Sequence, residues 1–141
     1  MILSTEHLLR TGDTLEQSLV FLKNTSPDDT ILYSVYRNSA VKSFELSLET
    51  AVKLLRKVLK LYGETTVYID GLIVKDIFRQ AHKHNIMDSD CVKRWLDYRD
   101  MIDDNNNEEF SNNALNILPE YLTDLRLLVV KIQDIFDASQ G

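Results

Sequence analysis

The sequence predicts an all-α protein, an antiparallel bundle of four to five helices with one long central helix. Two apolar stripes and a shortage of turn residues predict it. In the first stripe, Phe44, Leu48, Ala51, Leu55, Val58 and Tyr62 follow one another at steps of four and three. That spacing places side chains on one face of a 3.6-residue period. In the second stripe, Leu118, Leu122, Leu125, Val129, Ile132 and Phe136 repeat the same steps. Four glycines and two prolines in 141 residues supply too few turns for an all-β chain and argue against disorder.

The central helix is expected from Asp28 to Tyr62, a span of about 50 Å at the usual helical rise. Pro27, Asp28 and Asp29 provide its start, and Gly63 a left-handed stop. Leu54, Leu61, Val52 and Leu59 widen its stripe, so partners should wrap its second half on more than one side. Lys42, Glu45, Glu49, Lys53, Arg56 and Lys60 line the wet face. The cations gathered in the last turns suit the negative end of the helix dipole. Arg37 and Asn38 interrupt the apolar spacing, as a solvated stretch or as a polar groove or contact.

A first helix capped by Ser4 or Thr5 should run to about Lys23, with Leu8, Leu15, Leu19 and Leu22 inward. Gly12 is its weak point. Glu64 to Gly71 reads as a loop, with Val67, Tyr68 and Ile69 packing on the bundle as irregular chain. Leu72 to His84 returns to helical spacing and Asn85 ends it. Asp88 or Ser89 opens the next helix, with Cys91, Val92, Trp95 and Ile102 inward. Asp103 to Asn107 is a turn by composition. Phe110 to Ala138 is helical, interrupted by Pro119 as a kink or as the first residue of a fresh helix. No repeat or linker divides the chain, so residues 1–141 are expected to form a single domain.

A net charge of −6 makes the molecule as a whole a poor long-range attractor of polyanions. A single cysteine, Cys91, fits a reducing compartment. No stretch approaches the length of a membrane span, and no basic start precedes an apolar N-terminal segment. The expectation is a soluble cytoplasmic protein.

Metal and cofactor chemistry find little support. His82 and His84 point to different sides of a helix, and zinc needs more ligands than they offer. Asp103, Asn105 and Asn107 imitate a calcium loop, but Glu108 stands where glycine is required and Ala114 where a bidentate glutamate is required. There is no glycine-rich phosphate loop and no nucleophile elbow. No metal and no cofactor are expected. The segment most suited to converging polar groups is Trp95 to Phe110. Trp95 and Tyr98 are core or interface anchors.

Two segments together suggest a family. FELSLETAVKLLRKVL, with Phe44, Glu45, Glu49, Ala51, Lys53 and Leu55 at matching positions, resembles the Phe-Glu-x-x-x-Glu-x-Ala-x-Lys-x-Leu pattern of the nucleotidyltransferase substrate-binding proteins, small helical domains of the HEPN superfamily. Downstream, Asp76 to Asp88 looks like the second block of that family, with Arg79 and Ala81 matching. WLDYRD and the segment closing at Leu125 resemble its third block and last helix. The resemblance implies a bundle that dimerises and a partner, a minimal nucleotidyltransferase acting as antitoxin. It also implies, in active members, a metal-free ribonuclease with an arginine, a polar residue, then a histidine and often a tyrosine two further on.

This sequence departs from the pattern there. Aligned without gaps, Arg99 and Asp100 take the arginine and polar positions, Asp104 stands for the histidine and Asn106 for the tyrosine. A gapped alignment deletes three residues and loses the arginine as well. No histidine follows His84 under either. Metal-free RNA cleavage needs a group with pKa near 7 to take and return a proton. An unperturbed aspartate near pKa ~4 does this poorly, and Asp104 beside Arg99 would offset the charge meant for the phosphorane. The expected function is therefore a non-catalytic, substrate-binding partner of a minimal nucleotidyltransferase in a toxin–antitoxin-like pair. The alternative is an endoribonuclease using Arg99 and Asp104. Candidate binding residues are Arg99, Asp100, Asp103, Asp104, Asn106, Trp95 and Tyr98. A homodimer is expected, and RNA is the less favoured ligand.

Overall fold

The computed structural model describes the backbone of residues 3–103 and 108–140, and the side chains of 3–102 and 115–140. Among the described residues there are six helices and no strand: α1 (Glu6–Lys23), α2 (Thr30–Leu61), α3 (Thr66–Asp70), α4 (Val74–Lys83), α5 (Ser89–Asp103) and α6 (Glu108–Gln140). The all-α bundle expected from the stripes is what the chain forms. None of these helices is long and apolar enough to cross a membrane.

The spine is α2, 32 residues long. Its start is fixed by Asp29, whose carboxylate accepts from the Leu32 N–H at 3.3 Å, satisfying one of the donors a helix leaves orphaned. Its end is fixed by Gly63 at φ 90°, where a β-carbon would be strained. From Ala40 to Leu59 its apolar face is buried, with Phe44, Ala51, Leu55, Val58 and Leu59 fully so. α1, α3, α4 and α6 all pack on it, and Val41 meets Met101 of α5. The breadth of that stripe is the reason: one face serves α1 and α6, its flank α4 and α5.

Gly12 does not break α1. It is buried, and a β-carbon there would sit 3.0 Å from a Leu125 methyl. The residue that costs helix propensity lets α1 approach α6 closely. Thr5 sits at the N-cap of α1, but its hydroxyl bonds Gln133 on α6 at 2.8 Å instead of capping. Arg126 adds ion pairs to Glu16 at 2.8 Å and Asp13 at 3.6 Å. These contacts run α1 antiparallel to α6.

The segment expected to be irregular contains α3. The Thr65 hydroxyl accepts from the Tyr68 N–H at 3.2 Å and nucleates one turn. Only Ile69 of the three apolar residues is buried, while Val67 is 86% exposed, so Val67 and Tyr68 do not pack as expected. At the other end of α4, Asn85 takes φ 62°. Its N–H bonds the His82 carbonyl, and the Ile86 N–H bonds the Ala81 carbonyl at 2.8 Å, the paired bonds of a Schellman stop. The Asp88 carboxylate then accepts from Cys91 N–H at 2.8 Å and opens α5. Pro119 lies inside α6 without restarting it. Proline removes one bond to the Leu115 carbonyl, and buried Leu118 just before it and Tyr121, Leu122 and Leu125 after it hold the helix to the core.

If the buried face of α2 carries the fold, Leu55→Ala should lower stability by about 2–5 kcal/mol, the range for a buried leucine truncation. Urea unfolding measures it. A loss under about half a kcal/mol, typical of a surface change, would mean that the spine is placed wrongly.

Candidate functional site

Helix α5 carries most of the residues singled out by the sequence, on its buried face and at the edge of that face. Trp95 and Tyr98 point inward and are fully buried. Trp95 packs edge-on to Tyr98 and Tyr121 and tilted against Phe78, with ring centroids 5.5–5.7 Å apart. The Tyr98 hydroxyl donates to Asp124 Oδ2 at 2.5 Å. Arg94 grips the same carboxylate with two bonds, at 2.8 and 3.0 Å. Asp124 is nearly inaccessible, so this pairing is what makes its burial tolerable. Tyr121 reaches across to Ser47 on α2 at 2.6 Å, and Ser47 in turn donates to the Phe44 carbonyl. Trp95 and Tyr98 are thus held in the core of this chain.

Arg99, one turn on from Trp95, lies at the edge of that buried face and is half-buried. It lines a groove of about 430 Å³ between α2, the start of α4 and the end of α5. Leu48, Val52, Val74 and Ile102 contribute apolar surface, and Glu45, Glu49, Lys53, Arg56 and Arg99 the charged groups. A second hollow of about 340 Å³ adjoins it, sharing Arg56, Val74 and Arg99 and adding Ile73 and Lys75. Arg99 therefore stands at the junction of both. Arg56 is fixed in place by two backbone acceptors, the Ile69 carbonyl at 2.6 Å and the Leu72 carbonyl at 2.9 Å. Lys75 pairs with Asp100 at 2.7 Å, tying α4 to α5 beside the second hollow. Lys53 pairs with Glu49 at 3.5 Å on the exposed rim.

Four cations facing three carboxylates and an apolar floor suit a ligand that is partly apolar and carries an anionic group. Among the described residues that line these hollows there is no histidine. His82 Nδ1–H donates to the Met87 carbonyl at 3.0 Å. His84 stacks on Tyr62 and meets Glu64 at 3.3 Å. His7 lines a separate groove between α1 and α2. None of the three lines the hollows at Arg99. Burial, aided by Asp124, pushes the Cys91 thiol up from its ordinary value, which keeps it protonated and unreactive at neutral pH.

Of the sequence-selected residues, the structure brings Arg99 into the groove from the edge of the buried face that holds Trp95 and Tyr98, and Asp100 beside it through its pair with Lys75. Asp104 and Asn106, and the side chain of Asp103, lie outside the described residues. Lys53, Arg56 and Lys75 were not selected from the sequence as site residues. Lys53 had a signal, since it stands in the resembling block. Arg56 and Lys75 had none, because their partners are two carbonyls and a residue of another helix.

A comparison with protein families matches residues 7–134 to the family described as "Nucleotidyltransferase substrate binding protein like". The chain belongs to that family. No curated protein and no solved structure matches the chain. In this nucleotidyltransferase substrate binding protein like chain the matched span runs from α1 to the last turns of α6, and so includes every residue of the Arg99 groove.

Two outcomes follow from the geometry. Burial pushes the Tyr98 and Tyr121 hydroxyls well above the ordinary tyrosine value, with the bond to Asp124 adding to the effect at Tyr98. The unfolded chain loses those protons from about pH 10 while the folded chain keeps them. Their contribution to stability is therefore complete below about pH 10 and falls as pH rises beyond it. A near-ultraviolet titration should show two of the six tyrosines ionising only as the protein unfolds, and one fewer in Tyr98→Phe. All six ionising together with the fold intact would refute the placement. Arg56→Ala should cost about 1–3 kcal/mol, since two carbonyls lose a charged donor, and urea unfolding measures that as well.

Proposed function

We propose that this chain is the non-catalytic, substrate-binding helical subunit of a minimal nucleotidyltransferase, in a toxin–antitoxin-like pair that works in the cytoplasm. The nucleotidyltransferase docks across the mouth of the Arg99 groove, the groove holds the anionic part of the substrate, and the chain is a homodimer. One observation carries the reading: Arg99 lies in an amphiphilic groove with Arg56, Lys53 and Lys75, and no histidine accompanies it. A cation cluster without a histidine can bind and orient an anion, but it lacks the group best suited to take the 2′ proton of RNA and return it to the leaving oxygen. The family description fits a binding role, and the HEPN resemblance at Phe44, Glu45 and Lys53 fits a bundle of this class.

The carboxylates between Asp100 and Glu109 supply charge that helps orient a basic docking face, which mainly sets association rate and specificity. Binding should therefore weaken with salt. Co-expression with a small nucleotidyltransferase encoded beside this chain tests the pairing. Co-purification at low salt that fades at high salt is the expected result. Failure to co-purify at low salt, with both proteins folded, refutes it.

The purified chain should not cleave tRNA or mRNA in EDTA. Cleavage abolished by both Arg99→Ala and Asp104→Ala would reverse the assignment in favour of an endoribonuclease. Asp104→His is the converse experiment, and gain of cleavage would place Asp104 at the histidine position of the motif.

A further inference from the structure

The net charge of −6 is unevenly spread. Residues 53–83, the second half of α2 with α3 and α4, carry seven lysines and arginines against three acids, a net +4, which leaves the rest of the chain at −10. Charges farther apart than about 10 Å are largely screened at ordinary salt. A surface brought to this part of the molecule therefore meets its cations and not the distant acids.

These cations surround an apolar knob. Helix α3 lies across α2 and α4. Arg56 donates to the Ile69 and Leu72 carbonyls, Lys60 pairs with Asp70 at 3.0 Å, and the Gln80 amide donates to the Tyr68 hydroxyl at 3.2 Å. Fully buried Ile69 pins α3 from below. So held, α3 turns Val67, 86% exposed, and Tyr68 to solvent, and Ile73 at the head of α4 is 64% exposed. Cations stand on both sides of the knob. Lys57 is one turn before Lys60 on α2, Lys83 is one turn past Gln80 on α4, and Arg79 is next to Gln80. Lys60 and Arg79 are paired with acids. Lys57 and Lys83 are exposed and hold no ion pair among the described residues.

An anionic partner is indicated, and the shape and chemistry of the knob choose among lipid, nucleic acid and acidic peptide. Nucleic-acid bases stack on aromatic rings, whereas Val67 and Ile73 are aliphatic and Tyr68 is tied to Gln80. A peptide lays its apolar anchors into a groove, whereas Val67 protrudes, and neither it nor Tyr68 lines the hollows at Arg99. A protruding aliphatic knob flanked by lysines matches the bilayer interface, where cations meet anionic headgroups and aliphatic side chains reach the acyl boundary.

We propose that α3 and its flanking lysines dock this chain peripherally on an anionic lipid surface, with Val67 and Ile73 entering the interface. Two aliphatic side chains and a few cations give reversible attachment, and the acidic remainder of the chain is repelled by the same surface and faces away from it. This goes beyond the nucleotidyltransferase reading and does not depend on it.

Flotation with vesicles tests it on the full chain. Vesicles of equimolar phosphatidylglycerol and phosphatidylcholine should carry the chain at low salt and less of it at high salt, and pure phosphatidylcholine should carry none. Lys57→Ser with Lys83→Ser should weaken binding at least about tenfold, the loss expected of two cations at a charged membrane. Val67→Ser should weaken it with an unchanged urea midpoint, whereas Val130→Ser, exposed on α6, should not weaken it. In a Cys91→Ser background, an environment-sensitive dye on Val67→Cys should brighten on anionic vesicles, and the same dye on Val130→Cys should not. No flotation on anionic vesicles at low salt overturns the proposal. So does flotation that tRNA displaces while the dye at Val67→Cys stays dark, which makes the face a general polyanion patch. Retention of tRNA without flotation overturns it as well and assigns the face to nucleic acid.

Discussion

Burial of one face of α2 between Ala40 and Leu59 is the constraint on which the bundle depends. That face is broad enough to serve α1 and α6 together, and its flank receives α4 and α5. Hydrophobic transfer is worth about 25 cal/mol per Å² of apolar area removed from water, and among the described residues α2 packs against α1, α3, α4 and α6. The polar bonds that cross the core are placed where this burial would otherwise leave a group unsatisfied. Tyr121 bonds Ser47 on α2, and Asp124 is held by Tyr98 and Arg94. Such bonds add little net stability when made and cost much when one partner is missing, so they specify which faces meet.

The same helix builds the site. Its turns from Glu45 to Arg56 supply six of the groove's lining residues, and Arg56 is immobilised by the carbonyls that close α3 and lead into α4. A guanidinium held by backbone acceptors keeps its position whether or not a ligand is present, and a preorganised charge loses less on binding. α5 completes the groove at the edge of its buried face. Trp95 and Tyr98 fix its rotation in the core, and Arg99 and Ile102, each one turn on from them, line the groove beside that face.

The stripes of α2 and α6 were legible because periodic burial writes itself into spacing. So were the stops at Gly63 and Asn85, where backbone conformation selects the residue. Much of the rest was not. Gly12 reads as a weakness and is a point of close approach, since the sequence does not tell what a missing β-carbon faces. The turn of α3 depends on Arg56, thirteen residues before Ile69, and such a bond leaves no local pattern. Trp95 and Tyr98 sit in an aromatic, charged segment that suits a core and an interface alike, and only the orientation of α5 decides for the core. Arg99 was legible through the family pattern, and its companions Arg56 and Lys75 were not, because they reach the groove from other elements.

The central claim is that the Arg99 groove is the surface at which this chain serves its nucleotidyltransferase. Hydrogen–deuterium exchange with and without that protein tests it most directly. The account predicts slower exchange at Val74 and Lys75 and around Arg99 and Asp100 when the partner is bound, with the C-terminal turns of α6 unchanged. Exchange that is unaltered at the groove, or protection confined to the end of α6, would contradict it.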